Sequence, residues 1–336
     1  MLNPVVHAFN QLFYKHINYS SDDGALVQSH VDNFIQELHS LSYSEKHLPW
    51  LNRDRHLIIS SFGRGTHINP LKHVRLLICL NGDNSRVIAK GEGNSYVIRV
   101  NEGAERFGDM INADRELDTQ AIARNFAREF EGLPDAKNVS ISPEGGATYR
   151  RRGCLWVFNV IPSFFIQHPQ TGSTFYLIPD QQGNWKPIYP HEETDKIQAI
   201  NHLHNGFMYD LIHIMKYWNR EHDIPKIPSH LLEAMIVNYC EAKPEKLREF
   251  ADLDISGLLK SIRENLQKPF MDPIGGRGDL NTLSEKARQA ICDQAFKDQL
   301  KADAARQFEL NRNYKRSIDK WAEVVGHEFH KLARVS

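Results

Sequence analysis

His73 and Arg75 stand two residues apart in the apolar run His73-Val74-Arg75-Leu76-Leu77-Ile78-Cys79-Leu80. A strand turns alternate side chains to opposite faces, so both basic groups share one face and can donate to a single anion. Upstream, Leu57 to Phe62 forms another apolar, β-branched run, and Gly63-Arg64-Gly65-Thr66 with Asn69-Pro70 breaks the chain between the two. The pattern predicts two strands joined by a glycine-containing turn that carries Ser61 and Arg64. Magnesium asks for hard anionic oxygen ligands, which neither a guanidinium nor an imidazole supplies.

Other reactive residue types form no comparable pattern. His327-Glu328-Phe329-His330 spaces its histidines three apart, lacks the HExxH order, and reads as a solvated helix face. His202 and His204 face different ways on a helix. Cys79, Cys154, Cys240 and Cys292 are far apart and form no CxxC pair, so reduced thiols are expected rather than a zinc knuckle or a disulfide framework.

The elements that must hold these residues change character along the chain. Asn3-Pro4 opens a helix marked by Val5, Val6, Phe9, Leu12 and Phe13, and Val27, Val31, Phe34, Ile35, Leu38 and Leu41 mark a second. Residues 118 to 131 read as a helix through Ile122, Phe126 and Phe130. Val139 to Ile141, Gly153 to Ile161 and Phe175 to Pro179 read as strands. Beyond residue 195 the pattern is mainly helical, with Leu203, Phe207, Leu211, Ile214, Met215 and Trp218 on one long helix. An α+β class follows, with a mixed lobe over 1–194 and a helical lobe over 195–336.

The 336 residues carry 41 Lys plus Arg against 42 Asp plus Glu, a net charge of −1. Any nucleotide or nucleic-acid site is therefore local rather than a property of the whole surface. No apolar run approaches the roughly 18–20 residues of a membrane span, and the N-terminus lacks the form of a signal peptide, so no membrane is expected and the cytoplasm is.

The stretch Ser60-Ser61-Phe62-Gly63-Arg64-Gly65-Thr66-His67-Ile68-Asn69-Pro70-Leu71 resembles the GS-x-x-R-G-T-x-I-x-P-L segment of the bacterial cGAS-like (CD-NTase) family, within the polymerase-beta-like nucleotidyltransferases. Gly153 to Pro162 looks like that family's third-carboxylate strand. Tyr176 to Pro179 with Gly183-Asn184-Trp185 is similar to the segment after it. His204-Asn205-Gly206 and the helix through Lys216 resemble its helical spine, and Asp272 to Asn281 a late loop. The resemblance implies a polymerase-beta-like nucleotidyltransferase core with a helical second lobe, a cleft bordered by the Lys216 helix, and a role in antiphage nucleotide signalling.

The departures are as specific as the matches. In the family two strand carboxylates and a third on a neighbouring strand hold divalent metal. On this alignment they fall at His73, Arg75 and Asn159, and all three are absent. Ser60 replaces the glycine before the turn serine, while Ser61 keeps the hydroxyl. Asp54 and Asp83 provide no i, i+2 pair and read as turn residues.

The resemblance with these losses implies a pseudoenzyme without a metal cofactor that binds a nucleotide or oligonucleotide through Ser61, Arg64, His73, Arg75 and Lys216, or regulates a defence-system partner. Alternatively, Arg75 and His73 make internal salt bridges. Other readings are an active nucleotidyltransferase making a cyclic oligonucleotide by unusual chemistry, the one case in which magnesium would enter, and an interaction scaffold with a vestigial cleft. Arg150-Arg151-Arg152 reads as a solvated lead-in to a strand or as an extension toward an oligonucleotide, and Tyr149 as packing or as a base platform.

Overall fold

The computed structural model describes residues 3–45, 47–91, 95–168, 171–180, 182–273 and 278–333. The chain divides into a sheet unit, 20–65 with 70–191, and a helical unit, 1–19 with 66–69 and 192–336. The division differs from a single cut after residue 194. The first nineteen residues group with the helices, because Phe9 of α1 (Pro4–Leu12) packs edge-on against Trp321 and Phe329 at 5.2 and 4.7 Å.

Among the described residues the sheet unit holds nine strands: β1 (Leu57–Ile58), β2 (His73–Cys79), β3 (Ser85–Lys90), β4 (Ser95–Val100), β5 (Ala136–Ile141), β6 (Ala147–Arg151), β7 (Val157–Gln167), β8 (Thr174–Pro179) and β9 (Trp185–Ile188). They run in the order β1-β2-β7-β8-β9-β4-β3, and the β5–β6 hairpin joins through β6 to β7. The β2–β7 pair is parallel and sets Arg75 beside Asn159; β6 pairs antiparallel with β7 and sets Thr148 beside Asn159.

Alternation divides the sheet's two faces. Val74, Phe158 and Tyr149 face α2 (Ser21–Ser44) and α3 (Thr119–Glu131), where Phe34 stacks on Tyr149 and Phe158 at 5.1 and 4.7 Å. Both helices start at side-chain caps, since Ser20 accepts from Asp23 N and Asp118 from Gln120 N. On the opposite face Leu77, Cys79, Ile161, Tyr176 and Ile178 make a small apolar cluster at one end. The other end of that face carries His73, Arg75 and Asn159.

Several features depart from the expected elements, among them a break between the helices Pro190–Leu203 and Phe207–Glu221, so that Leu203 does not share the helix of Phe207 to Trp218. The apolar run from Leu57 forms a strand of only two residues, because the backbone turns at Ser60, and the β3–β4 hairpin was not anticipated at all. β3 lies at a sheet edge with nearly every residue exposed, so its burial leaves no apolar alternation to read.

The helical unit contains α1, α4 (Pro190–Leu203), from Glu192 onward, α5 (Phe207–Glu221), α6 (Ser229–Ala242), α7 (Asp252–Leu266), α8 (Glu285–Leu310), α9 (Tyr314–Val325) and α10 (Glu328–Ala333). Trp218 and Trp321 are buried in its core, and Trp218 Nε1 donates to the buried Asp298 carboxylate at 2.9 Å. Among the described residues no helix is long and apolar enough to cross a membrane.

Candidate anion site on the sheet face

The turn before β2 is closed by its own backbone. Ile59 N donates to Arg75 O at 3.0 Å, Arg64 N to Ser60 O at 3.3 Å, and Gly65 N to Phe62 O at 3.1 Å. Glycine is required at position 63, where a Cβ would lie 2.2 Å from Ile58 O, and Gly65 adopts a φ of +69°. Arg64 folds back so that Nη1 donates to Ile59 O at 2.9 Å. Ser60 is buried and its Oγ has no hydrogen-bond partner among the described residues, whereas Ser61 is half-buried.

His73 is exposed, and Arg75 and Asn159 are half-buried. A residue that sequence reasoning missed sits on them. Glu144 lies in the turn Ser142-Pro143-Glu144-Gly145-Gly146 between β5 and β6, and its Oε2 accepts from Arg75 Nη2 and, at 3.2 Å, from Asn159 Nδ2. The turn is well anchored: Gly145 N donates to Ser142 O at 3.0 Å, Ser142 N to Gly146 O at 2.7 Å, and Glu144 N to Ser142 Oγ at 3.3 Å. Gly146 passes so close to β7 that a Cβ would lie 2.1 Å from Val160 O, and one on Gly145 would lie 2.4 Å from Pro179 Cβ. Proline, then glycine with positive φ, marks such a turn in sequence, but nothing local says which strands it will overhang.

Three positions that resemble metal-ligand sites thus present two donors aimed at one carboxylate. Of the two expectations for Arg75, an internal salt bridge is present. It is a partly exposed one, with side-chain exposures of 39% for Arg75 and 44% for Glu144, a class of ion pair worth about 0–1 kcal/mol. Divalent metal does not fit here: one carboxylate already bonded by a guanidinium, beside an amide that donates to it, is not a magnesium cage. Among the described residues no group of three or more His, Cys, Asp or Glu could hold a metal ion.

Lys216 belongs to the helical unit, where Nζ donates to Glu233 and, at 2.6 Å, to Thr66 O. Both side chains are buried, at 8% and 4% exposure, and Ser229 Oγ adds a donor to Glu233 at 3.2 Å. Of the late loop, Ile274 to Arg277 lie outside the described residues; around them Asn281 Nδ2 donates to Leu266 O and Lys268 O at 3.1 and 2.9 Å, and Asp279 accepts from Phe270 N.

The arginine run has structural partners. Arg151 pairs with Glu37 at 2.7 Å and with Asp135 at 2.5 Å, and Arg150 Nε donates to Cys154 O at 3.3 Å. Tyr149 is fully buried and stacked on Phe34, which is the packing reading. His327 is 79% exposed beside Glu328, a solvated face as expected.

No family model matches the chain. A probable cyclic nucleotide synthase of Bacillus cereus (strain VD146) is 24% identical over 331 residues, 98% of each chain. Among solved structures, CdnC of E. coli MS115-1 with ATP superposes with a TM-score of 0.67 at 13% identity, covering 96% of this chain and 98% of that one. CdnC in its complex with HORMA-deltaN gives a TM-score of 0.66 at 12% identity, over 95% and 96%.

Proposed function

We propose, from the premise that this chain is a bacterial cGAS-like (CD-NTase) nucleotidyltransferase in fold and kinship, that it works in nucleotide signalling as a binding protein and not as a polymerising enzyme. One observation carries this reading: Arg75 and Asn159, at positions where the family has carboxylates, donate together to one anionic oxygen. Such an arrangement favours a phosphate held without metal, because a guanidinium there repels magnesium and attracts phosphate. His73 on the same strand face adds charge when protonated. Ser61 on the adjoining turn adds a hydroxyl, whereas Arg64 folds back onto Ile59 O. Lys216 is left out of this set because its ammonium is committed to Glu233 and Thr66.

Two-metal phosphoryl transfer leaves the protein little to do beyond holding metals and aligning groups, so loss of the cage removes the reaction. The experiment incubates the full chain with the four ribonucleoside triphosphates and magnesium or manganese and separately measures nucleotide binding in chelator. Binding in chelator with no oligonucleotide product supports the reading; a specific product lost on changing Ser61 refutes it.

The full-length likeness to a probable cyclic nucleotide synthase favours a second reading, an active synthase, and the product assay decides between the two. The neighbour solved with HORMA-deltaN makes a protein partner a further element of the proposal, which co-purification with proteins made from adjacent genes would test.

A further inference from the structure

We infer that the outer edge of β3 is a docking site for a partner protein, which adds an extended acidic segment to the sheet as a further strand. β3 ends the strand order at the opposite end from β2, and among the described residues only β4 pairs with it. An edge strand turns alternate N–H and C=O groups away from its neighbour, where a second peptide chain can bond to them. Every residue from Arg86 to Lys90 is exposed, with Val87 and Ile88 at 39% and 37%. Free backbone and apolar side chains are thus accessible together.

Charge decides which chain fits. Arg86, Ile88 and Lys90 share one sheet face by alternation. The register sets Arg86 directly opposite Arg99 on β4, a like-charge pair that costs stability in a sheet. Arg99 reaches Glu116 at 3.5 Å, but Arg86 has no acidic partner among the described residues. Lys90 Nζ donates to the neutral Asn184 side chain at 3.1 Å. A strand added beside β3 sets its own side chains directly opposite these, with Cβ atoms about 4.5–5.5 Å apart. Acidic residues four apart then meet Arg86 and Lys90, and an apolar residue midway between them covers Ile88. The same charges exclude a second copy of this chain: antiparallel pairing about Ile88 sets each Arg86 opposite a Lys90, and parallel pairing in register sets like residues together. A nucleic acid would meet the cations but has no strand backbone to bond the free N–H and C=O groups.

The test uses a synthetic peptide, acetyl-Thr-Glu-Thr-Val-Thr-Glu-Thr-amide, whose two acids and central valine share one face when extended. Its affinity for the full chain is measured by competition against a fluorescent copy, beside a peptide with lysine in place of both acids. Wild type should bind the acidic peptide and not the lysine one. Arg86→Glu should weaken the acidic peptide about tenfold and strengthen the lysine peptide by a similar factor. Methylating one alternate set of peptide amides should abolish binding and methylating the other should spare it, because only one set faces β3. Arg86 is exposed, so the variant should fold, which its melting temperature checks.

No binding of the acidic peptide at about 1 mM, or an affinity unchanged by Arg86→Glu, overturns the docking site. The same effect from both methylated sets overturns strand addition, since side-chain attraction alone does not distinguish them. Self-association of the chain that Arg86→Glu alters assigns the edge to a second copy, and an oligothymidine that binds through Arg86 where the peptide does not assigns it to nucleic acid; either result overturns the acidic partner.

Discussion

Lys216 and Arg220, one turn apart on α5, each donate to a backbone carbonyl of the same short segment, Lys216 to Thr66 O and Arg220 to Asn69 O. Asn69 N in turn donates to Ile17 O at 2.8 Å, so residues 66–69 are held from both sides within the helical unit. This clamp gives Lys216 a positioning role that the cleft-facing expectation did not include.

Lys216→Met should destabilise the protein by about 3–5 kcal/mol, because it breaks a buried ion pair. Lys216→Met with Glu233→Leu should recover most of that loss, since removing both charges removes the desolvation penalty. Denaturant unfolding of the two variants reads the difference. Equal destabilisation of single and double variants would show that the carbonyl contact, not the ion pair, matters.

Arg75→Ala should change stability by about 1 kcal/mol or less, as a partly exposed pair does. Nucleotide affinity should fall about tenfold or more, the weight of a charge-assisted contact of about 1.5–3 kcal/mol. The affinity should also lose part of its salt dependence. Placing Asp at 73, 75 and 159 together should make binding respond to magnesium, measured by titrating nucleotide with and without the ion.

The sheet unit should weaken as pH falls from about 6.5 toward 4. His56 is pulled down to about 4, first by burial and then by His39 beside it, with Asp54 opposing; His39 is itself lowered by burial and by Arg53. His56 Nδ1 accepts from Cys79 N at 3.0 Å, and its Nε2 lies 2.8 Å from His39 Nε2, so both rings are held neutral. The folded value lies below the unfolded one, so the unfolded chain binds more protons in that window. Stability is then complete above about 6.5 and is lost on acidification. The melting temperature of His56→Gln should show a shallower pH slope than wild type between those limits.

Gly146→Ala should cost about 1–3 kcal/mol, because its Cβ would meet the Val160 carbonyl carbon and oxygen, which cannot move without disturbing β7. The same change should loosen the turn that carries Glu144 and weaken its hold on Arg75. Gly82→Ala, with nothing within 4 Å of the added carbon, is the control and should stay within about 0.5 kcal/mol. Thermal melts of the pair provide the comparison.

Much of this arrangement is legible from residue order. The helical spacing of Val27, Val31, Phe34 and Leu38 matches the buried stripe of α2, and the glycine turn and β2 lie where their breakers and apolar run put them. The i, i+2 rule alone sets His73 and Arg75 on one face. Glu144 was invisible for a physical reason: it meets Arg75 from 69 residues away, through the register of two strand pairs that no local pattern encodes. Lys216 was placed by analogy, and only the fold reveals that Glu233, 17 residues further on, neutralises it.

The grouping of α1 with α9 and α10 bears on how the chain comes off the ribosome. Trp321 and Phe329, the rings Phe9 packs against, are made more than three hundred residues after it. At roughly 5–20 residues per second, its apolar stripe waits about 15–60 seconds for those partners. Over that interval the apolar face of Val5, Phe9 and Leu12 lacks those partners and is open to chaperone capture. The sheet unit, complete at His191, can fold while α1 is still waiting.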